Sequence, residues 1–171
     1  MKLAEFNALP PAHAEAKLMD CCSCARWAAK MNAQRPFADV SALFDAADRH
    51  WQSLAREDWL EAFSHHPQIG EKAATGSESH QQWAAGEQAG ARVATEDVKT
   101  RMARGNRLYY ERFGYIYIVC ATGKSAEEML ALLEERLQND PARELPIAAE
   151  QQRQITRIRL EKLLAGESAK S

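Results

Sequence analysis

The sequence predicts an all-α fold, on three observations. Apolar residues recur at helical spacing in nearly every segment. Cap and stop residues stand where those stripes begin and end. One run alone, Tyr115 to Ala121, is rich in aromatic and β-branched residues, so it favours extended chain. A single such run cannot build a sheet within one chain. The expectation is a multi-helix bundle with one short extended segment near 115–121, in one domain over 1–171.

Each element follows in order. Leu3 to Asn7 makes a short turn before Pro10-Pro11. From Ala12 to Cys22, the residues Ala16, Leu18, Met19 and Cys22 are spaced for one helix face. Ser23 can cap the next helix, to about Met31. Asp39 or Ser41 can cap the following one, whose stripe is Val40, Leu43, Phe44, Ala47 and Trp51. A short helix carries Trp59, Leu60 and Phe63. Gly70 to Ser79 reads as a loop. Helix returns over Gln81 to Ala91 and from about Thr95 to Phe113, where Gly114 marks a stop. Ser125-Ala126-Glu127-Glu128 is a capping box. It opens a helix with Met129, Leu130, Leu132, Leu133 and Leu137 on its apolar side. Pro141 to Gly166 is a last long helix, with Ile155, Ile158, Leu160, Leu163 and Leu164 apolar and Gly166 as its stop.

Composition narrows the function classes. The 171 residues are 46% hydrophobic and 27% charged, with a net charge of -2. That balance gives no electrostatic reason to expect nucleic acid or an anionic membrane. The amino end lacks the apolar run of a signal peptide, no segment is apolar enough to span a bilayer, and the last residues are not the peroxisomal Ser-Lys-Leu. A cytoplasmic protein is expected. Of the four cysteines, Cys21, Cys22 and Cys24 are clustered and Cys120 is remote. Cys21 and Cys24 form a C-x-x-C, which suits a redox pair or half a zinc site, or simply buried thiols on a helix. No second C-x-x-C or H-x-x-x-H completes a zinc set, so no metal is expected.

Chemistry is most legible at Ser64-His65-His66-Pro67-Gln68-Ile69-Gly70. Proline excludes the helical region for the residue before it, so His66 stands on a rigid corner after a helix end. Imidazole exchanges a proton readily near neutral pH. The other histidines, His13, His50, His65 and His80, have no comparable constraint. Glu87 and Gln88 lie on a helix after a flexible loop and could project hydrogen-bonding groups into a cleft, although a solvated face is the simpler reading of such a pair alone. Arg159 lies between Ile158 and Leu160, near an apolar stripe, where a guanidinium is costly to bury unless it meets an anion. Tyr117 to Ala121 has backbone groups with no sheet partner. Those groups must bond to something, and an amide-rich ligand is one candidate.

Several motifs occur together in order: His66-Pro67-x-Ile69-Gly70, Glu87-Gln88-x-Gly90, Asn106-x-x-Tyr109-x-x-Arg112-Phe113-Gly114, Ile118-Val119-Cys120-Ala121, Glu144-Leu145 and Ile155-x-x-Ile158-Arg159-Leu160. With Gln34-Arg35-Pro36-Phe37 they cover nearly the whole chain. This pattern resembles the 2-oxo-4-hydroxy-4-carboxy-5-ureidoimidazoline (OHCU) decarboxylases of urate breakdown. The resemblance implies an all-helical homodimer that needs no cofactor and yields (S)-allantoin and carbon dioxide. It implies that His66, Glu87 and Arg159 are catalytic. It places substrate contacts on Pro67, on Ala84, Ala85, Gly86 and Gln88, and on Tyr117, Ile118, Val119, Cys120 and Ala121. Many members have Ser where Ala84 stands, and Phe-Gly-Phe-Pro where this chain has Phe113-Gly114-Tyr115-Ile116.

Two other classes compete. A helical thiol peroxidase-like reductase would use Cys21 and Cys24, with an acid and a His close by. Glu15 lies upstream, but Ala28 follows and no His is near. A non-catalytic helical interaction module would leave the His-Pro corner and the Glu-Gln pair without a purpose.

Overall fold

Caps and breakers divide the chain into helices much as their chemistry dictates. A computed structural model describes residues 1–71 and 77–165. Its α-helices are α1 (Leu3–Ala8), α2 (Pro11–Cys21), α3 (Ala25–Ala33), α4 (Val40–Gln52), α5 (Arg56–Ser64), α6 (Glu78–Glu87), α7 (Glu96–Phe113), α8 (Ala126–Arg136) and α9 (Pro141–Ala165). A 3-10 turn, Ala89–Val93, follows α6. No strand occurs among the described residues, so the all-α class holds.

Asp39 caps α4 by accepting from the Ala42 N–H at 2.7 Å, which leaves Ser41 inside the helix. Thr95 caps α7 through Val98 N–H, and Ser125 and Glu128 close the capping box of α8. Gly114 ends α7 in the left-handed region, at φ +81°, which a residue with a side chain rarely adopts.

Three boundaries differ from expectation. Ser23 does not cap α3. Its hydroxyl donates back to Met19 O at 3.2 Å, and Cys24 takes the cap position. The helix expected over 81–91 begins earlier, because Ser77 caps it through His80 N–H, and it ends at Glu87. Of the loop expected over 70–79, residues 72–76 lie outside the described residues and Glu78 and Ser79 are helical. Gly166, the expected stop of α9, also lies outside them.

Backbone proximity divides the chain into two compact units. The first comprises Met1–Ala62 with the chain from Arg153 onward. There α2 packs on α3 and α3 on α4. Its core includes Phe6, Leu18, Trp27, Met31, Leu43 and Leu160, all fully buried. Trp27 donates its indole N–H to Ala47 O at 3.1 Å, so a large ring is buried without an orphaned donor.

The second unit is Phe63–Gln152. There α7 packs on α8, and the 3-10 turn on α6 and α8. An aromatic cluster of Phe63, Tyr109, Phe113, Tyr115 and Tyr117 has neighbouring ring centroids 4.6 to 6.2 Å apart. The extended strip 115–121 runs between α7 and α8 in the chain. Its residues 117–121 are all at most 6% exposed. No helix among the described residues is long and apolar enough to cross a membrane.

Candidate active site

The corner after α5 is built as the sequence suggests. His66 N–H donates to Phe63 O at 3.2 Å, one last turn before Pro67 breaks the helix. Side chains from later elements then pin the segment. Asn106 on α7 donates to Ile69 O at 3.1 Å. Gln88, just past α6, accepts from Gly70 N–H at 2.9 Å and donates to Gln68 O at 3.4 Å. Gln152 on α9 places its Oε1 2.6 Å from His66 Nε2. Ile69 is buried, and His66 and Pro67 are half-buried.

Glu87 is the last residue of α6 and is 9% exposed. Ala84, three residues earlier on the same face, is buried, while Ala85 and Gly86 are exposed. Within 84–88 the inward side chains are therefore Ala84 and Glu87, and the Gln88 amide is engaged with the corner's backbone. Gly90 explains why this motif carries a glycine. A Cβ there would collide with the backbone carbonyl of Lys124, so the 3-10 turn lies directly against the chain before α8.

The extended strip is only partly unsatisfied, which corrects the expectation that its backbone groups lack partners within the protein. Arg136 donates to Ile118 O at 2.7 Å, Cys120 N–H donates to Gln151 Oε1 at 2.9 Å, and Lys124 Nζ donates to Cys120 O at 2.7 Å. Among the described residues, the N–H and C=O of Val119 have no hydrogen-bond partner. Beneath the strip, Glu144 accepts from Tyr109 Oη at 2.5 Å, Arg136 Nε at 2.6 Å and Asn139 Nδ2 at 2.9 Å. Burial pushes the hydroxyls of Tyr109 and Tyr117 well above the ordinary tyrosine range. The bond to Glu144 adds to this for Tyr109, and Arg136 opposes it for both. Burial works against the charge of Arg136, and Tyr109, Glu144 and Tyr117 outweigh it.

Arg159 belongs to the first unit and is 1% exposed. Its Nη1 donates to Asp20 O at 3.4 Å, near the carboxyl end of α2, where the helix dipole is negative. A backbone carbonyl, a neutral acceptor, thus takes one hydrogen bond from this buried guanidinium.

The cysteine cluster is in the same unit. Cys21, Cys22 and Cys24 are buried and unbridged. Burial raises the Cys21 thiol above its ordinary range and pushes Cys22 up to about 12. Burial also raises Cys24. Raised thiols hold little thiolate and make poor nucleophiles, which argues against the redox-pair reading. The Cys24 thiol and the carboxylates of Asp58 and Glu61 lie within 4.8 Å of one another. Those carboxylates already serve other groups. Asp58 faces Arg26 at 3.4 Å and accepts from Ala55 N–H at 3.3 Å, and Glu61 accepts from Ala25 N–H at 3.4 Å.

The family model described as OHCU decarboxylase matches residues 7–161. The chain belongs to the OHCU decarboxylase family. It is 37% identical over 147 residues to the "Uric acid degradation bifunctional protein TTL" of Arabidopsis thaliana, covering 85% of this chain and 45% of that protein. It is 39% identical over 77 residues to the "2-oxo-4-hydroxy-4-carboxy-5-ureidoimidazoline decarboxylase" of Amia calva, 45% of this chain and 44% of that one. The chain therefore matches less than half the length of these two relatives. Among solved structures, "Crystal structure of OHCU decarboxylase in the presence of (S)-allantoin" is similar at a TM-score of 0.76 and 34% identity, over 88% of this chain and 98% of that one.

Sequence reasoning missed Gln152. The signal was present, because Gln152 continues the buried stripe of α9 formed by Ala148, Ile155, Thr156 and Arg159. A glutamine on such a stripe must have hydrogen-bond partners.

Proposed function

We propose that this chain decarboxylates OHCU to (S)-allantoin and carbon dioxide, a carboxy-lyase reaction in urate degradation. The observation that carries the proposal is the rigid His66-Pro67 corner, with its half-buried imidazole, in a chain of this family. The match to a structure described in the presence of (S)-allantoin supports it.

The chemistry suits residues of these types. In OHCU the carboxylate is on a carbon next to a C=N bond. When the bond to the carboxylate breaks, its electron pair enters that conjugated system, so the substrate is its own electron sink. The protein must hold the breaking bond perpendicular to the ring. It must also deliver a proton to one face only, because unassisted decay gives a racemate. His66 is the proton carrier in this reading. Glu87, whose carboxylate is nearly buried, accepts hydrogen bonds from the substrate's hydroxyl or ureido N–H groups. Pro67, the inner face of 84–88 and the backbone of 117–121 contact the ring, with the Val119 N–H and C=O as the amide-like partners. The proposal for Arg159 is a need for its planar guanidinium. Arg159→Lys keeps the charge, loses the fork geometry and should lower turnover.

The same reading carries a homodimer in the cytoplasm, acting as one domain without a cofactor. Light scattering tests the dimer. Urate oxidase and hydroxyisourate hydrolase generate the substrate in situ for the activity test, and circular dichroism follows chiral allantoin. Rapid growth of an (S)-allantoin signal is the expected result. An unchanged, slowly formed racemic product from folded protein would refute the activity.

A further inference from the structure

We propose that Gln152 is a positioning residue for His66, fixing the imidazole in its Nε2–H tautomer so that Nδ1 is the nitrogen that exchanges protons with substrate. The inference rests on the decarboxylase reading for its purpose, but its geometry stands apart from that reading. Both residues belong to the second unit. Gln152 Oε1 lies 2.6 Å from His66 Nε2, and Gln152 is fully buried. An amide oxygen only accepts, so the imidazole nitrogen facing it carries the hydrogen. In a neutral ring the other nitrogen is then the acceptor.

The surroundings make this contact an anchor. The His66 backbone is fixed by its bond to Phe63 O and by Pro67, which leaves only the rotations of the side chain undetermined. Gln152 removes that freedom from one side. It is itself held on α9, next to Gln151, which grips the extended strip through Cys120 N–H. Two successive glutamines of one helix thus hold the His66 ring and the strip backbone in register. The neutrality of the partner also matters. A carboxylate here would favour the imidazolium, whereas an amide orients the ring without placing a charge beside it.

The test is nitrogen-15 NMR of the full chain labelled at histidine, with the His66 signals assigned by their loss in His66→Asn. The wild-type protein should show a neutral His66 protonated at Nε2. Gln152→Met keeps an unbranched side chain of similar length and removes the acceptor oxygen. It should show mixed tautomers and lower kcat/KM roughly ten- to a hundredfold, with KM little changed. Gln152→Glu retains the acceptor and should keep Nε2 protonated even where Gln152→Met has lost that state. If Gln152→Met fails to fold, the wild-type tautomer and the Glu variant still decide the matter. A wild-type ring protonated at Nδ1, or a folded Gln152→Met with unchanged tautomer and rate, would overturn the assignment. A wild-type protein with the expected tautomer and no turnover of OHCU would instead reject the activity, leaving Gln152 as the ring's anchor.

Discussion

Arg136–Glu144 and His66–Gln152 are both polar contacts within the second unit, and they differ in charge, closure and exposure. Glu144 is fully buried and accepts from Tyr109, Arg136 and Asn139. Arg136 also donates to Ile118 O and places its guanidinium 4.8 Å from the centre of the Tyr117 ring. His66 is half-buried and its Nε2 faces a neutral amide. The first arrangement pairs a buried cation with a buried carboxylate and holds the extended strip in place. The second holds a ring in position through a neutral partner. The difference separates a charged network built into the core from a neutral contact that orients a half-buried ring.

The comparison breaks most visibly at Glu144. Glu144→Gln leaves the Arg136 charge buried without its anion, and should cost about 3–5 kcal/mol in urea unfolding. The same measurement on His66→Asn should show a change of no more than about 1 kcal/mol. Tyr109→Phe removes one hydrogen bond to a carboxylate and should cost about 1.5–3 kcal/mol. Gly90→Ala forces a Cβ against the Lys124 carbonyl and should cost about 1–3 kcal/mol. Because Gly90 lies two residues after Gln88 and three after Glu87, Gly90→Ala should also slow turnover, whereas Tyr109→Phe should leave the rate of the folded fraction near that of wild type.

The smallest effect is a pH dependence from the first unit. Cys21 and Cys22 have thiols raised above their ordinary value of 9.0, so the unfolded chain releases protons that the folded chain retains. Their contribution to stability is complete below pH 9 and falls as pH rises from there toward about 12. Urea midpoints measured from pH 8 to 10.5 should therefore decline, and less so in Cys22→Ala. Ellman's reagent at pH 8 should react slowly with the native protein and quickly once urea unfolds it.

Much of the fold was legible because its determinants are local. Asp39, Thr95, Ser125 and Gly114 act within one turn of chain, and each acts as its chemistry predicts. Where two local signals competed, the cap did not fall on the residue the pattern favoured. Ser23 lost the cap of α3 to Cys24, and Ser77 started α6 ahead of the apolar pattern. The His66 corner was legible for the same local reason, since Pro67 constrains its neighbour. Its partners were not, because Asn106, Gln88 and Gln152 reach it across 18 to 86 positions of sequence. Nor was the partial pairing of the strip's backbone by Arg136, Gln151 and Lys124, which depends on tertiary placement that no periodicity encodes.

The most direct test pairs turnover with stability in one variant. In His66→Asn, formation of (S)-allantoin from OHCU should fall by about 10²- to 10⁴-fold while the urea midpoint stays near that of wild type. A folded His66→Asn that makes (S)-allantoin at the wild-type rate would contradict the claim that this corner carries the reaction.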